Sequence, residues 1–311
     1  MAGVNDDMDM SNDETAWLAE RFEEDRPHLR AVAYRMLGSL TEADDALQDA
    51  WIRVSRAGAD DVANLGGWMT TIVARVCLNM LRSRKRRRED SLEAGLPDPV
   101  ITREDAAGPE EEALLADSVG LALLVVLETL TPAERLAFVL HDTFDLPFDE
   151  IASIVGRTPE AARQLASRAR RRVQGADLPE PDRDFARQRE VVDAFLAAAR
   201  SGDFDRLVGI LDPDVVLRGD FGPGRAPRVV RGVEAVVGQA RTYREIGGIA
   251  DVRRALVNGL PGGVIVVRGR PFAVMAFTVR NGLIVEIDAI QDSERIERIA
   301  AAVLAEDEEP R

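Results

Sequence analysis

Phe148-Asp149-Glu150-Ile151-Ala152-Ser153-Ile154-Val155-Gly156-Arg157-Thr158-Pro159-Glu160-Ala161-Ala162-Arg163-Gln164-Leu165-Ala166-Ser167-Arg168-Ala169-Arg170-Arg171-Arg172 reads as a helix, a turn at Gly156, and a second helix rich in positive charge. Ile151, Ile154 and Val155 form the inward set of the first helix. Thr158 is placed to cap the second, and Pro159 sits at N1, where a missing N–H costs nothing. Ala162, Leu165 and Ala169 recur at helical spacing as its buried stripe. The opposite face carries Arg163, Gln164, Ser167, Arg168 and Arg171, and from Pro159 to Arg172 five Arg stand against one Glu. Such side chains reach phosphates and base edges in a major groove, so DNA is the first partner to consider. An ordinary amphipathic hairpin shares the apolar spacing but has no need of the cap, the turn glycine and the one-sided arginines together.

With 311 residues and 46% hydrophobic content, the chain predicts two or three domains with real cores. No apolar run approaches a membrane span and no signal peptide opens the chain, so a cytoplasmic protein without a membrane partner is expected. Cys77 is the one cysteine, which excludes an intramolecular disulfide and a cysteine-based metal cluster. Its apolar neighbours Val76 and Leu78 predict a buried structural thiol. No metal or cofactor is called for.

A net charge of −15 suits a DNA binder only when divided along the chain. Residues 1–61 hold fifteen acids and six bases, whereas residues 82–88 hold six bases and no acid. Residues 89–117 hold ten acids and one base, Arg103. Phosphate repels the acidic remainder, so a large basic partner that carries the chain to DNA is implied.

A polar, acidic start is expected to be disordered to about residue 14. Trp17, Phe22, Leu29, Val32, Ala33, Met36 and Leu37 then predict one or two helices ending near Gly38. Thr41 is placed to cap a helix through Val54, with Ala43, Ala46, Leu47, Ala50, Trp51 and Val54 inside and Asp44, Asp45, Gln48 and Asp49 outside. A third helical region from Gly67 to Arg88 grows steadily more basic. Trp51 and Trp68, each among apolar neighbours, read as core anchors. Residues 91–115 have linker composition, and helical pattern resumes over Leu114–Leu130. Thr131-Pro132-Ala133-Glu134 opens the next helix with a capping box. After a proline-marked linker at 176–184 the grammar changes. A helix around Val191–Ala199 and a short one at Asp203–Leu211 precede strand-like runs at Val215–Leu217, Leu256–Val257, Val264–Val267 and Ala273–Val279. Asn281-Gly282 turns into Leu283–Ile290, and a helix from Ser293 to about Leu304 ends the pattern. Helices first, then a curved antiparallel sheet, predict an α+β domain.

Taken together, residues 15–175 resemble a bacterial RNA polymerase sigma factor of the extracytoplasmic-function (ECF) class. Thr41-Glu42-Ala43-Asp44-Asp45-Ala46-Leu47-Gln48-Asp49-Ala50-Trp51-Ile52-Arg53-Val54 resembles that family's helix for docking on core RNA polymerase. Gly67-Trp68-Met69-Thr70-Thr71-Ile72-Val73-Ala74-Arg75 and its continuation to Arg88 resemble the −10 promoter element reader, and the helix-turn-helix resembles the −35 reader. The C-terminal part resembles the cone-shaped SnoaL-like fold of the NTF2-like superfamily, a combination similar to the SigJ-like group, in which this domain is a fused regulator. Leu96-Pro97-Asp98-Pro99 resembles that group's linker motif, Asp220-Phe221-Gly222-Pro223-Gly224-Arg225 a diverged glycine-rich loop, and Gln291-Asp292-Ser293-Glu294 a diverged terminal signature.

The resemblance implies a multidomain chain: a first all-α sigma domain at 15–90, an acidic linker at 91–115, and a second all-α sigma domain with the helix-turn-helix at 116–175. A linker at 176–184 leads to an α+β SnoaL/NTF2-like domain at 185–304. Asp45, Gln48 and Asp49 are the polymerase-contact candidates. Arg75 and Asn79 are candidates for base contacts, and Arg82, Arg84, Lys85 and Arg86 for phosphates. Thr158, Arg163, Gln164, Ser167, Arg168 and Arg171 are those for the −35 element, and Asp220, Gly222, Gly224 and Arg225 for the regulatory loop. The acidic linker is expected to be flexible and to mimic RNA in a basic channel. Core RNA polymerase and promoter DNA are the implied partners, and the cone leaves room for a small-molecule ligand. No turnover is expected. Two other readings stay open: a ligand-sensing helix-turn-helix regulator that works without polymerase, and a SnoaL-type enzyme tethered to DNA whose acids would be drawn from Asp212, Asp214, Asp220 and Asp288.

Overall fold

Apolar residues at helical spacing draw Asn5–Leu37 into one continuous helix, α1, which ends at Gly38 with φ 75°. The computed structural model describes residues 5–59, 62–88, 96–104, 120–176, 178–222, 224–243 and 248–305. The chain divides into two units, one of residues 1–89 with 126–176, the other of residues 90–125 with 177–311. Helix α1 begins nine residues before the expected residue 14, and Trp17 is 44% exposed while Leu18 takes the inward position. Helix α2 (Leu40–Ala57) is capped by Ser39, whose hydroxyl accepts from the Glu42 N–H; Thr41, expected in that role, lies inside the helix. Helix α3 (Leu65–Arg88) completes the first bundle. Leu29, Leu47, Met69, Val73 and Leu78 are fully buried among its core residues, and half-buried Trp51 lies 5.4 Å from the Phe22 ring. Burial pushes the Cys77 thiol up to about 12, which leaves it an inert packing group.

The other part of this unit follows from its caps. Residues 114–119, expected to begin a helix, lie outside the described residues; α4 runs over Leu121–Glu128. Helix α5 (Pro132–Phe138) opens with the full capping box between Thr131 and Glu134 and widens into a π-helical turn at Val139–Thr143. His141 in that turn is satisfied through Nδ1 by the Leu146 carbonyl at 3.0 Å. Helix α6 (Phe148–Val155) stops at Gly156, left-handed at φ 70°, and α7 (Pro159–Gly175) starts from the Thr158 cap. Ala162, Ala166 and Ala169 are its fully buried residues; Leu165 is at the half-buried margin, so the seam is small side chains that let two short helices approach closely.

Glu128 joins the two helical parts of the unit. It accepts from Arg84 at 2.7 and 2.9 Å and from Arg135 at 2.7 Å. Arg135 is 2% exposed and also donates to the Arg35 carbonyl; Arg84 also reaches Glu42 and the Leu37 carbonyl. Removing this carboxylate leaves the buried Arg135 guanidinium with no carboxylate partner among the described residues and Arg84 with only Glu42 and the Leu37 carbonyl. Glu128→Ala is expected to cost about 3 kcal/mol, against less than about 0.5 kcal/mol for breaking the exposed Asp49–Arg53 pair with Arg53→Ala. All three Trp residues, 17, 51 and 68, belong to this unit, so denaturant unfolding followed by Trp fluorescence checks the difference.

In the second unit, α8 (Phe185–Ser201) and α9 (Phe204–Ile210) precede a seven-stranded sheet. Its strands are β1 (Ile101–Thr102), β2 (Leu211–Asp220), β3 (Arg228–Arg231), β4 (Ala250–Val257), β5 (Leu260–Val267), β6 (Arg270–Arg280) and β7 (Leu283–Ile290), in the order β1-β4-β5-β6-β7-β2-β3. Asn258-Gly259, Arg268-Gly269 and Asn281-Gly282 each have positive φ at both residues, and they close three two-residue hairpins of the twist-matching kind. The sheet is mixed rather than wholly antiparallel: β2 arrives from α9, not from a hairpin, and pairs parallel with β7. Helix α10 (Val233–Arg241) and β3 carry no signal that the sequence reading caught. Phe195, Leu207, Phe277, Val279 and Ile287 lead the core under α8. The terminal helix breaks at Ala300 into α11 (Ser293–Ile299) and α12 (Ala301–Leu304). The result is the α+β cone expected after the two helical domains.

Candidate functional site

Helix α2 turns Asp45, Gln48 and Asp49 outward together, because Ala43, Ala46, Leu47 and Ala50 occupy the other side. Asp49 also accepts from Arg53 at 3.2 Å. On α3, Arg75, Asn79, Arg82 and Arg86 follow one another at helical spacing and are all exposed, as is Lys85. None of Arg75, Arg82, Lys85 and Arg86 has a carboxylate partner among the described residues. Arg84 differs from them: its guanidinium is half-enclosed by Glu42, Glu128 and the Leu37 carbonyl. Among Arg82, Arg84, Lys85 and Arg86, Arg84 is thus the structural cation and the other three have no carboxylate partner among the described residues.

Helix α7 sorts its arginines in the same way. Arg163, Gln164, Ser167, Arg168 and Arg171 share the exposed face. Arg163 lies over the Phe148 ring at 5.2 Å, and Arg171 Nε reaches only the Ser167 carbonyl at 3.4 Å. Arg168 is 3.3 Å from Glu134, Arg172 is 3.1 Å from Glu134, and Arg170 is held bidentate by Asp142. Burial raises the Glu134 pKa, but the Thr131 hydroxyl and N–H with Arg172 and Arg168 outweigh it, so its carboxyl stays below the usual range. Thr158 is exposed, and its hydroxyl accepts from the Ala161 N–H as the cap.

The second unit brings together three motifs that are far apart in sequence. The Asp220 carboxylate, 4% exposed, accepts from the Leu96 N–H at 2.8 Å, from the Gly222 N–H at 3.0 Å and from Arg295 Nη1 at 2.6 Å. Arg295 also donates to Asp98 and to the Leu96 carbonyl. Asp292 caps α11 by accepting from the Arg295 N–H, and it packs so close to Gly222 (φ 84°) that a Cβ there would sit 2.7 Å from its carboxylate. Glycine is therefore required at 222. Gly224 and Arg225 lie in the exposed turn beyond, outside the cluster. Arg295 is the residue that sequence reading missed; it follows directly on the Gln291–Glu294 signature.

The clip continues along the linker. The Val100 N–H donates to Asn258 Oδ1 at 2.7 Å, and the Asn258 N–H returns a bond to the Val100 carbonyl at 2.8 Å. Ile101 and Thr102 pair with Val257 and Leu256, and Glu104 accepts from the buried Arg189 at 2.9 Å. Ile101–Thr102 thus form an edge strand of the sheet, residues 96–100 are tied to the same unit by hydrogen bonds, and two of the ten acids of residues 89–117, Asp98 and Glu104, are neutralised within it. The remaining acids of 89–95 and 105–117 lie outside the described residues.

Inside the cone is a cavity of about 140 Å³, walled by α8, α10 and the inner face of the sheet. Leu217, Gly219, Ala289 and Gln291 face it, so alternation turns Arg218, Asp220, Glu286 and Asp288 to the other side. There Arg218 bridges Glu286 and Asp288, the latter at 3.0 Å. Burial pushes Asp288 up to about 6 despite the attraction of Arg218. The acids considered for an enzymatic reading, Asp220 and Asp288, hence do not meet in the cavity; Asp214 is exposed and Asp212 accepts from the Asp214 N–H.

Residues 21–87 match the family Sigma-70 region 2, and residues 120–173 match Sigma-70, region 4. The chain is 41% identical over 278 residues to the ECF RNA polymerase sigma factor SigJ of Mycobacterium tuberculosis, covering 84% of this chain and 87% of that protein. The chain belongs to the ECF RNA polymerase sigma factors. It is also 37% identical over 203 residues to a probable ECF sigma factor SigI of the same species, covering 64% of this chain and 67% of that one. The crystal structure of M. tuberculosis SigJ superposes with a TM-score of 0.69 at 36% identity, over 89% of this chain and 98% of that structure. As an ECF sigma factor it works with core RNA polymerase in promoter-directed transcription. No described helix is long and apolar enough to cross a membrane.

Two outcomes follow for this sigma factor. Asp220→Ala removes three acceptor bonds at once, and amide exchange at Leu96 is expected to accelerate at least tenfold, with the Val279 and Ile287 amides unchanged. Asp288 has a folded pKa of about 6 against an ordinary value of 3.8, so the native state binds its proton more tightly. Relative to Asp288→Asn, the native protein should therefore gain stability as pH falls from 7 to 4. Calorimetric unfolding of both proteins across that range tests the sign.

Proposed function

We propose that this ECF sigma factor divides its surfaces as follows. Asp45, Gln48 and Asp49 on the outer face of α2 contact core RNA polymerase through charge-assisted hydrogen bonds. Arg75, Asn79, Arg82, Lys85 and Arg86 hold the opened −10 strand, and Arg163, Gln164, Ser167, Arg168 and Arg171 read the −35 element, with Thr158 shaping the helix start. Arg84 serves structure in the free protein and becomes a phosphate ligand only if Glu42 and Glu128 release it. The C-terminal cone tunes initiation through its hold on the linker at Asp220 and Arg295, and it answers to a small molecule rather than turning one over.

The observation that carries this reading is the segregation of cations. Arg75, Arg82 and Arg86 on α3 and Arg163 and Arg171 on α7 are exposed with no carboxylate partner among the described residues, whereas Arg84 is held by Glu128, Arg168 and Arg172 by Glu134, and Arg170 by Asp142. A helix kept basic only for solubility needs no such separation. The position of Asp220 and Asp288 away from the cavity supports ligand binding over acid–base catalysis.

The test uses holoenzyme assembled from core RNA polymerase and the full chain. Arg163→Ala or Arg171→Ala should lower promoter affinity and reduce the slope of log K against log salt by about 1 each. Arg170→Ala, paired to Asp142, should leave that slope unchanged. Equal slopes for all three variants would contradict the assignment.

A further inference from the structure

The cone cavity has a composition that selects its occupant. Its walls are apolar, led by Phe195, Val236, Ile265, Phe272 and Met275. Its volume of about 140 Å³ is near that of apolar cavities of about 150 Å³ that admit one benzene ring. Its polar groups are few. The Tyr243 hydroxyl donates to Gln291 Oε1 at 3.0 Å, and Gln239 Nε2 lies 3.5 Å from the same hydroxyl. Arg200, in the last turn of α8, is exposed and also lines the cavity, and it has no carboxylate partner among the described residues. No Asp, Glu or His is among the described lining residues.

Those features have separate consequences. The walls favour a ring or short chain, and they penalise any sugar or polyol whose hydroxyl groups would lose water without replacement. The guanidinium at the margin favours one negative charge there, with planar geometry that matches a carboxylate. A second charge on the ligand would have to enter the apolar part.

We propose that the cone binds a small apolar monocarboxylic acid, its ring or six-to-eight-carbon chain in the cavity and its carboxylate at Arg200. This rests on the reading above that the C-terminal unit answers to a small molecule, and it adds the chemical class. The occupant would also touch Gln291, whose N–H donates to the Asp220 carbonyl at 2.7 Å. The bound molecule is thereby one residue from Asp292 and directly joined to the strand end that holds Leu96.

The experiment is calorimetric titration of the full chain with benzoate, hexanoate, benzyl alcohol and citrate. Benzoate and hexanoate should bind, benzyl alcohol at least about tenfold more weakly, and citrate not at all. Arg200→Gln, a change on an exposed side chain, should weaken benzoate by about tenfold and leave benzyl alcohol unchanged. Ala289→Leu, which fills the cavity from β7, should abolish both. Equal affinity for benzoate and benzyl alcohol, or indifference to Arg200→Gln, would overturn the acid class while leaving a small-molecule response standing. Binding that survives in folded Ala289→Leu would overturn the cavity as the site. No binding by any of the four compounds would overturn the class and remove the support for a ligand response with it.

Discussion

A carboxylate withdrawn from water needs cations, and Glu128 takes two. Its bonds to Arg84 and Arg135 join the first three helices to the helix-turn-helix part of the same unit. Everything else about the basic surface is arranged around that choice. Arg84 lies within a run of six basic residues, yet it faces Glu42 and Glu128. Arg82, Lys85 and Arg86, which have no such partners among the described residues, are left for the proposed phosphate contacts. Charge in this unit is thus allocated residue by residue, and a count of arginines misstates how many can meet DNA.

The same chemistry recurs in the second unit with the signs exchanged. There one guanidinium, Arg295, gathers two carboxylates and a carbonyl, and it fastens the linker to the end of β2. Asp220 takes part both as an acceptor for the linker amide and as the anchor of its own loop. The linker then continues as an edge strand, so the cone holds it by backbone pairing as well as by charge. A segment shared in sequence between two sigma domains is, in structure, part of the third. In the proposed function, that arrangement is the handle by which the C-terminal unit acts on initiation.

Much of this was legible in the sequence because local rules govern it. Thr131-Pro132-Ala133-Glu134, Gly156 and Thr158-Pro159 fix helix ends by chemistry within four residues, and each ends or begins a helix where expected. Asn281-Gly282 marks a hairpin for the same reason, and Asn258-Gly259 carries the identical signal. The failures are tertiary. Ser39 rather than Thr41 caps α2, a choice between two hydroxyls two residues apart, of which Ser39 has the three-residue spacing to the Glu42 N–H. Trp17 is exposed because Leu18 fits the packed face of α1. The linker reads as a solvated spacer from its prolines and acids; its pairing to Val257, Asn258 and Arg189 spans more than 80 residues and has no local signature. Likewise, Asp220 was visible as a loop residue, but its partner Arg295 lies 75 residues away.

In the proposed function the Asp220–Arg295 clip transmits control from the cone to initiation. Run-off transcription from one cognate promoter, with core RNA polymerase and either the full chain or its folded Arg295→Ala variant, tests it most directly. A several-fold change in specific transcript is expected, with affinity for core polymerase unchanged. Equal transcript from the two proteins would contradict it.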